Sequence, residues 1–313
     1  MAPDGPFHVV INPGSGAGDA ERRRQVIETA MREAGRQVEF APIDSPDQCG
    51  SAMTLAAQRA REQGGAVVAV GGDGTLTTGA QAAMAAGCPL GIVPQGTFNY
   101  FAREHGFPQD LEAAARALAH SELAEVQAAE VNGRVFLVNA SLGLYPHLLH
   151  DREGFTRQLG RHRWVAALSG LATLYRWRWQ LSLEFEADGE RWVLRTPTLF
   201  VANNRLQLGR LGMDEDLVRQ VGRGRLAAVF PKSIGTLALT RLALQGALGR
   251  LGEADQVDRF SFQRLTVRLR SIRRTVVAAD GEVGMMTQPI TFAVCEQPLR
   301  LLVPRPEHRV AVE

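Results

Sequence analysis

The stretch Ala66–Leu76, AVVAVGGDGTL, constrains this chain more than any other. A short apolar run, three of its five residues valine, ends directly in a glycine turn that carries one carboxylate and one threonine. That pattern predicts a buried strand, then an anion-binding loop, then a helix from about Thr75. Glycines at 71, 72 and 74 permit unusual backbone angles and can bring bare N–H groups against a bulky anion. The helix that follows adds its positive N-terminal end. Taken alone, the stretch reads equally well as a tight strand-to-helix turn with Asp73 or Thr75 as N-cap.

Two further loops of the same character flank it. His8–Ile11 is a short apolar run leading into Asn12-Pro13-Gly14-Ser15-Gly16-Ala17-Gly18, and Leu90–Val93 leads into Pro94-Gln95-Gly96-Thr97-Phe98-Asn99-Tyr100. Strand, glycine turn and helix in succession place loops at the carboxyl edge of an α/β sheet. Up to about Ala124 strands are expected near 7–12, 37–43, 66–70 and 90–93. Helices are expected near 19–34, 47–63, 75–86 and 110–120. From Glu125 the pattern turns to strands, near 134–140, 181–187, 191–195, 198–202, 225–230 and 264–270, with Asp188-Gly189 as a hairpin turn. Two helices interrupt that half. One spans Phe155–Gln180, with Trp164, Leu168, Leu171 and Tyr175 at helical spacing and arginines at its ends. The other spans Ser233–Leu251.

Composition narrows the function classes. The 313 residues suffice for two ordinary domains, and a formal net charge of +2 gives no basis for nucleic-acid binding. Lys232 is the sole lysine, which excludes a phosphate loop of the GxxxxGK[ST] type. Cys49, Cys88 and Cys295 are scattered and odd in number, and the seven histidines fit no zinc spacing, so a cytoplasmic, reducing setting is expected. No uncharged run reaches membrane-spanning length, and the N-terminus lacks the features of a signal peptide. The ends of the Trp164 helix, where arginine meets tryptophan, suit a membrane interface, although packing on a sheet explains the same pattern.

NPGSG, GGDGTL and PQGTFNYFAR, in this order, resemble the diacylglycerol kinase catalytic family, particularly its bacterial lipid-kinase branch. Ala279-Asp280-Gly281-Glu282 resembles that family's C-terminal DGE motif, and Val131–Phe136 resembles the opening of its second domain. The resemblance implies an α/β + β fold: a three-layer α/β nucleotide-binding domain over 1–124, joined again by 297–313, and a β-sandwich-like substrate domain over 125–296, with the active site in the cleft between them. It implies ATP and Mg²⁺ as cofactors, a lipid acceptor met at the inner membrane surface, and a peripheral location there. An exposed edge strand in the second half makes a homodimer reasonable.

Moving a γ-phosphoryl group requires charge neutralisation, alignment and a base for the acceptor hydroxyl. The backbone of Gly14, Ser15, Gly16, Gly71, Gly72, Gly74, Thr75, Gly96 and Thr97 can supply much of the first two, with the Asn12, Thr75, Thr97 and Asn99 side chains as further donors. Asp73 is an awkward neighbour for phosphate unless a cation intervenes, which points to Mg²⁺, held directly or through water. By resemblance Asp280 is the general base and Glu282 orients it or helps place the metal; by residue type alone Asp280-Gly281 is a hairpin turn. Two departures from the family pattern stand out. Tyr100 follows Asn99 where many relatives carry aspartate, which removes a carboxylate near the phosphates and sets an aromatic ring towards the nucleotide. The acidic loop near Gly222 lacks its aspartate. Asp214 and Asp216 are candidate substitutes as metal ligands, or simply a solvated helix start. Leu142-Gly143-Leu144 and the Trp164 helix are candidates for a lipid groove. A soluble-metabolite kinase of the NAD kinase type and a non-catalytic nucleotide- or lipid-binding protein remain as alternatives.

Overall fold

The computed structural model describes residues 3–14, 20–43, 45–143, 181–187, 189–232, 245, 250–270 and 272–312. The chain divides into two compact units, Met1–Ala128 with Cys295–Glu313, and Ala129–Val294. The expected helices over 155–180 and, for most of its length, 233–251 lie outside the described residues.

The first unit is built on strands β1 (Phe7–Ile11), β2 (Val38–Phe40), β3 (Ala66–Gly71), β4 (Leu90–Pro94), β5 (Glu122–Val126) and the last strand, β18 (Leu299–Val303). Their order is β2-β1-β3-β4-β18-β5. All pairs are parallel except β18 with β5. A parallel sheet must bury both faces, and β3 is buried along its whole length. On one face Phe7, Val9, Val68 and Val70 pack against Ile27 and Met31 of helix α1 (Ala20–Glu33) and Ala115 and Leu118 of α5 (Leu111–Ala119). The alternate residues point the other way. There Ala69 meets Gly79 of α3 (Asp73–Ala86), with Met53 of α2 (Cys49–Glu62) alongside. This is the expected three-layer arrangement. The strands β5 and β18, absent from the sequence reading, complete it.

The second unit is all-β apart from short helices among its described residues. One sheet holds β6 (Ala129–Val131), β7 (Arg134–Phe136), β9 (Leu181–Ala187), β10 (Glu190–Thr196), β14 (Arg264–Leu269) and β17 (Ile290–Val294), in the order β10-β9-β14-β17-β6-β7. The other holds β8 (Asn139–Gly143), β11 (Thr198–Ala202), β12 (Leu226–Pro231), β13 (Val257–Phe262), β15 (Arg274–Ala279) and β16 (Glu282–Thr287), in the order β13-β12-β11-β8-β15-β16. Phe185, Val267 and Phe292 from the first sheet share a core with Leu142, Val201, Ala228 and Val277 from the second, which makes the pair a sandwich. Short helices α6 (Arg205–Arg210) and α7 (Glu215–Gln220) cover the outer face of the second sheet through Leu208 and Leu217.

Two differences from the sequence reading bear on the site. The run 134–140 is not one strand: it breaks at Leu137–Val138, where the chain crosses from one sheet to the other. Leu142, a candidate for a lipid groove, lies in the sandwich core with no exposure, because alternate residues of β8 face the opposing sheet. Leu144 and the Trp164 helix fall outside the described residues.

The contact between α3 and β3 leaves no room at Gly79, where an added Cβ would stand 2.8 Å from the Ala69 Cβ and 3.1 Å from a Leu90 methyl. Gly79→Val is therefore expected to lower unfolding free energy by about 1–3 kcal/mol through overpacking, measured by urea denaturation.

Candidate functional site

The three glycine loops leave the sheet side by side. Strands β1, β3 and β4 are neighbours, with Ile11 opposite Val70 and Gly71 opposite Pro94. The ladder continues one step past the strands, with Asn12 N–H donating to Val70 O at 3.0 Å and Gln95 N–H to Gly71 O at 2.8 Å. Asn12, Gly72 and Gln95 thus emerge at one level on the carboxyl edge. Here the second and third loops touch through backbone. A Cβ on Gly96 would lie 2.8 Å from the Gly72 Cα and 2.6 Å from Asn99 Oδ1. A Cβ on Gly71 would lie 2.5 Å from Thr75 Oγ1. These glycines are demanded by packing before any ligand is considered.

The polar side chains bind the loops to each other. Asn12 donates through Nδ2 to Thr75 Oγ1 at 2.8 Å and accepts at Oδ1 from the Gly14 N–H at 2.9 Å. The buried Arg23 guanidinium donates to Asn12 O at 3.2 Å. In the third loop Asn99 adopts a left-handed backbone, φ 48°, which asparagine tolerates. Its Oδ1 accepts from Gly96 N–H at 2.9 Å, and its Nδ2 donates to Gly96 O at 3.0 Å and Gln109 Oε1 at 2.8 Å. Asn12 and Asn99, read from the sequence as donors to an anion, therefore serve in this structure as braces that set the loop shape. Arg23 and Gln109 escaped the sequence reading, since one is an arginine among several and the other lies beyond the third motif.

The N-cap of α3 is Gly72, in an extended conformation, and not Asp73 or Thr75, which occupy the first turn. Gly72 offers no side chain to cover the helix end, so the first-turn amides and the positive end of a 14-residue helix face the place where the loops meet. Asp73 brings a carboxylate into that first turn, directly after Gly72, which abuts Gly96 of the third loop. The arrangement suits an anion with several oxygens, and an accompanying divalent cation would relieve its repulsion from Asp73. Ser15 and Gly16 lie outside the described residues, and Gly14 and Thr97 sit in the first and third loops.

In the second unit Asp280-Gly281 is the two-residue turn between β15 and β16, with φ 47° and 85°. Positive φ at both positions is the type I′ geometry that Asp-Gly favours. The Asp280 carboxylate is held by the segment that crosses between the sheets. Leu137 N–H donates to Oδ2 at 2.6 Å, and Val138 and Asn139 N–H groups donate to Oδ1 at 2.9 Å each. Asn203, almost fully buried, ties down the same segment by donating from Nδ2 to Leu137 O at 3.0 Å and from its backbone to Val138 O at 2.9 Å. Its only sequence signal was an Asn-Asn pair directly after an apolar strand. Glu282 forms a surface ion pair with Arg134 at 2.6 Å.

Asp214 caps α7 by accepting from Leu217 N–H at 2.9 Å and pairs with Arg259 at 2.6 Å. The Leu217 amide, with the Arg259 guanidinium adding to it, holds this carboxyl below the usual carboxylate range. Asp216 pairs with Arg219 at 2.6 Å. Both carboxylates thus act in a helix start and its surface pairs. Among the described residues no three His, Cys, Asp or Glu side chains gather to hold a metal ion, and no helix is long and apolar enough to cross a membrane.

Asp280→Asn keeps a residue that accepts the left-handed backbone but turns an amide NH₂ towards backbone N–H donors. We expect it to lower unfolding free energy by about 1–3 kcal/mol, measured by urea denaturation, whatever it does to activity.

Residues 6–131 match the family model of the diacylglycerol kinase catalytic domain. The chain is 38% identical over 138 residues to a probable lipid kinase, YegS-like, of Pseudomonas aeruginosa, a match covering 43% of each chain. It is 28% identical over 311 residues to a diacylglycerol kinase of Mycobacterium tuberculosis, covering 97% of this chain and 96% of that one. The chain spans less than half the length of several other curated relatives that it matches. The crystal structure of a diacylglycerol kinase from Bacillus anthracis shares the fold, with a TM-score of 0.69 at 18% identity over 98% of this chain and 99% of that one. Loop order and sequence similarity agree: residues 6–131 match the diacylglycerol kinase catalytic domain, and the chain is similar to bacterial lipid and diacylglycerol kinases.

Proposed function

We propose that the protein is an ATP- and Mg²⁺-dependent lipid kinase that transfers a γ-phosphoryl group to a hydroxyl of a diacylglycerol-like lipid. The observation that carries this reading is the meeting of three glycine loops at the carboxyl edge of β1, β3 and β4, beside the uncapped start of α3. The first-turn amides of α3, framed by loops whose shape the Asn12–Thr75 and Asn99–Gly96 bonds set, can take a triphosphate without reorganising when it binds. Asp73 would hold Mg²⁺ together with phosphate oxygens and water, a donor set that this ion accepts from one carboxylate. Bound there, the ion supplies neutralisation of the phosphate charge. Asp280, by resemblance, accepts the proton of the lipid hydroxyl as its oxygen bonds to the γ-phosphorus and the bond to the β-phosphate oxygen breaks, releasing ADP. The three amides that grip Asp280 fix its direction.

A lipid acceptor is favoured over a soluble metabolite by the similarity to a diacylglycerol kinase along nearly the whole chain. Such an acceptor implies working at a membrane surface. The test is transfer of labelled γ-phosphate from ATP–Mg²⁺ into vesicles containing diacylglycerol. Wild type should label the lipid, and Asp73→Asn should lower kcat roughly a hundredfold with little change in unfolding midpoint. Label in NAD and none in any lipid would contradict the proposal.

A further inference from the structure

The third loop ends in a feature that the phosphate site does not use. Phe98 is 60% exposed, a large apolar ring on a loop whose other residues are polar or glycine. Tyr100, the first residue of α4 (Tyr100–Glu104), stacks on it with planes 3° apart and centroids 5.8 Å apart. The left-handed Asn99 between them turns the chain so that two alternate residues present parallel rings. Arg103 Nε donates to Phe98 O at 2.9 Å and pins the backbone at that point. The centroid spacing is that of rings already in an offset stack, so nothing is admitted between them. A flat ligand would lie on the outer face of Phe98.

Position decides what that ligand is. Phe98 follows Gly96 by two residues, at most about 7 Å of chain, and Gly96 abuts Gly72 at the start of α3. A molecule with its phosphates on the glycine loops would have its other end within reach of the ring. Resting on the phosphate-site reading above, we propose that Phe98, backed by Tyr100, is a stacking platform for the purine base of the nucleoside triphosphate. The Phe98 ring has no hydrogen-bonding group, so the platform grips adenine and guanine alike.

The experiment measures binding of ATP, GTP and inorganic tripolyphosphate, each with Mg²⁺, to the full chain by calorimetry. The proteins are wild type, Phe98→Leu and Phe98→Trp. Leucine keeps an apolar side chain but cannot stack, and exposure of the site leaves folding undisturbed, which an unchanged unfolding midpoint verifies. The expected result is a loss of roughly tenfold in ATP and GTP affinity for Phe98→Leu, recovery in Phe98→Trp, and unchanged tripolyphosphate binding in all three. Wild type that binds ATP and tripolyphosphate, with Phe98→Leu altering neither, overturns the platform and leaves the phosphate site standing. Wild type that binds neither removes the phosphate site and the platform with it. Loss of binding to phosphatidylglycerol vesicles in Phe98→Leu, with ATP affinity intact, also overturns the platform and assigns the ring to a lipid surface.

Discussion

The site rests on a contact between two backbones, Gly72 against Gly96, at the ends of adjacent parallel strands. The register of β3 and β4 delivers both loops at the same height, and one extra hydrogen bond, Gln95 to Gly71, holds them there. Because neither glycine carries a Cβ, the third loop can close over the start of α3. The Asn99 brace, itself in a left-handed conformation, then curls the third loop back on Gly96. Fold and site are the same set of contacts in this region. A substitution that separates the loops would cost stability and binding together.

The division of labour among the side chains follows from this. An anion site made of side-chain donors must order them when the ligand arrives, whereas amides fixed by a sheet edge and a helix start are ordered by folding itself. Asn12, Thr75, Asn99 and Gln109 spend their polar groups on the loop frame. Asp280 shows the same economy in the other unit. Its carboxylate fastens a hairpin to the segment that crosses between the sheets, which gives a candidate base a fixed direction. It also means that inactivity of an Asp280 variant reports on catalysis only when stability is measured beside it.

Much of this was legible in the sequence. The buried run before GGDGTL, the three loops in order and the Asp-Gly turn each carry a local signal; the pattern reads as an α/β half followed by a strand-rich half, and the three-layer arrangement and the β sandwich came from the family resemblance. What was missed depends on contacts between distant residues. The break at Leu137–Val138 lies inside an apolar run that periodicity alone cannot divide, and it exists because β7 and β8 pair in different sheets. Strand β5 was read as the end of the first half because its partner, β18, lies far along the chain. The capping position of α3 went to Gly72, since the close approach of Gly96 leaves no space for a capping side chain there. Asn12 and Asn99 have the right chemistry for an anion, and only the structure reveals that their partners are already in the protein.

The central claim, that triphosphate sits on the backbone of these loops, is tested most directly by amide NMR. In ¹⁵N-labelled protein titrated with ATP–Mg²⁺, the amide signals of Gly72, Gly74 and Gly96 should move together and saturate at one ligand per chain, as should that of Thr75. Saturable ATP binding that leaves those four amides unmoved would place the nucleotide elsewhere and contradict the account.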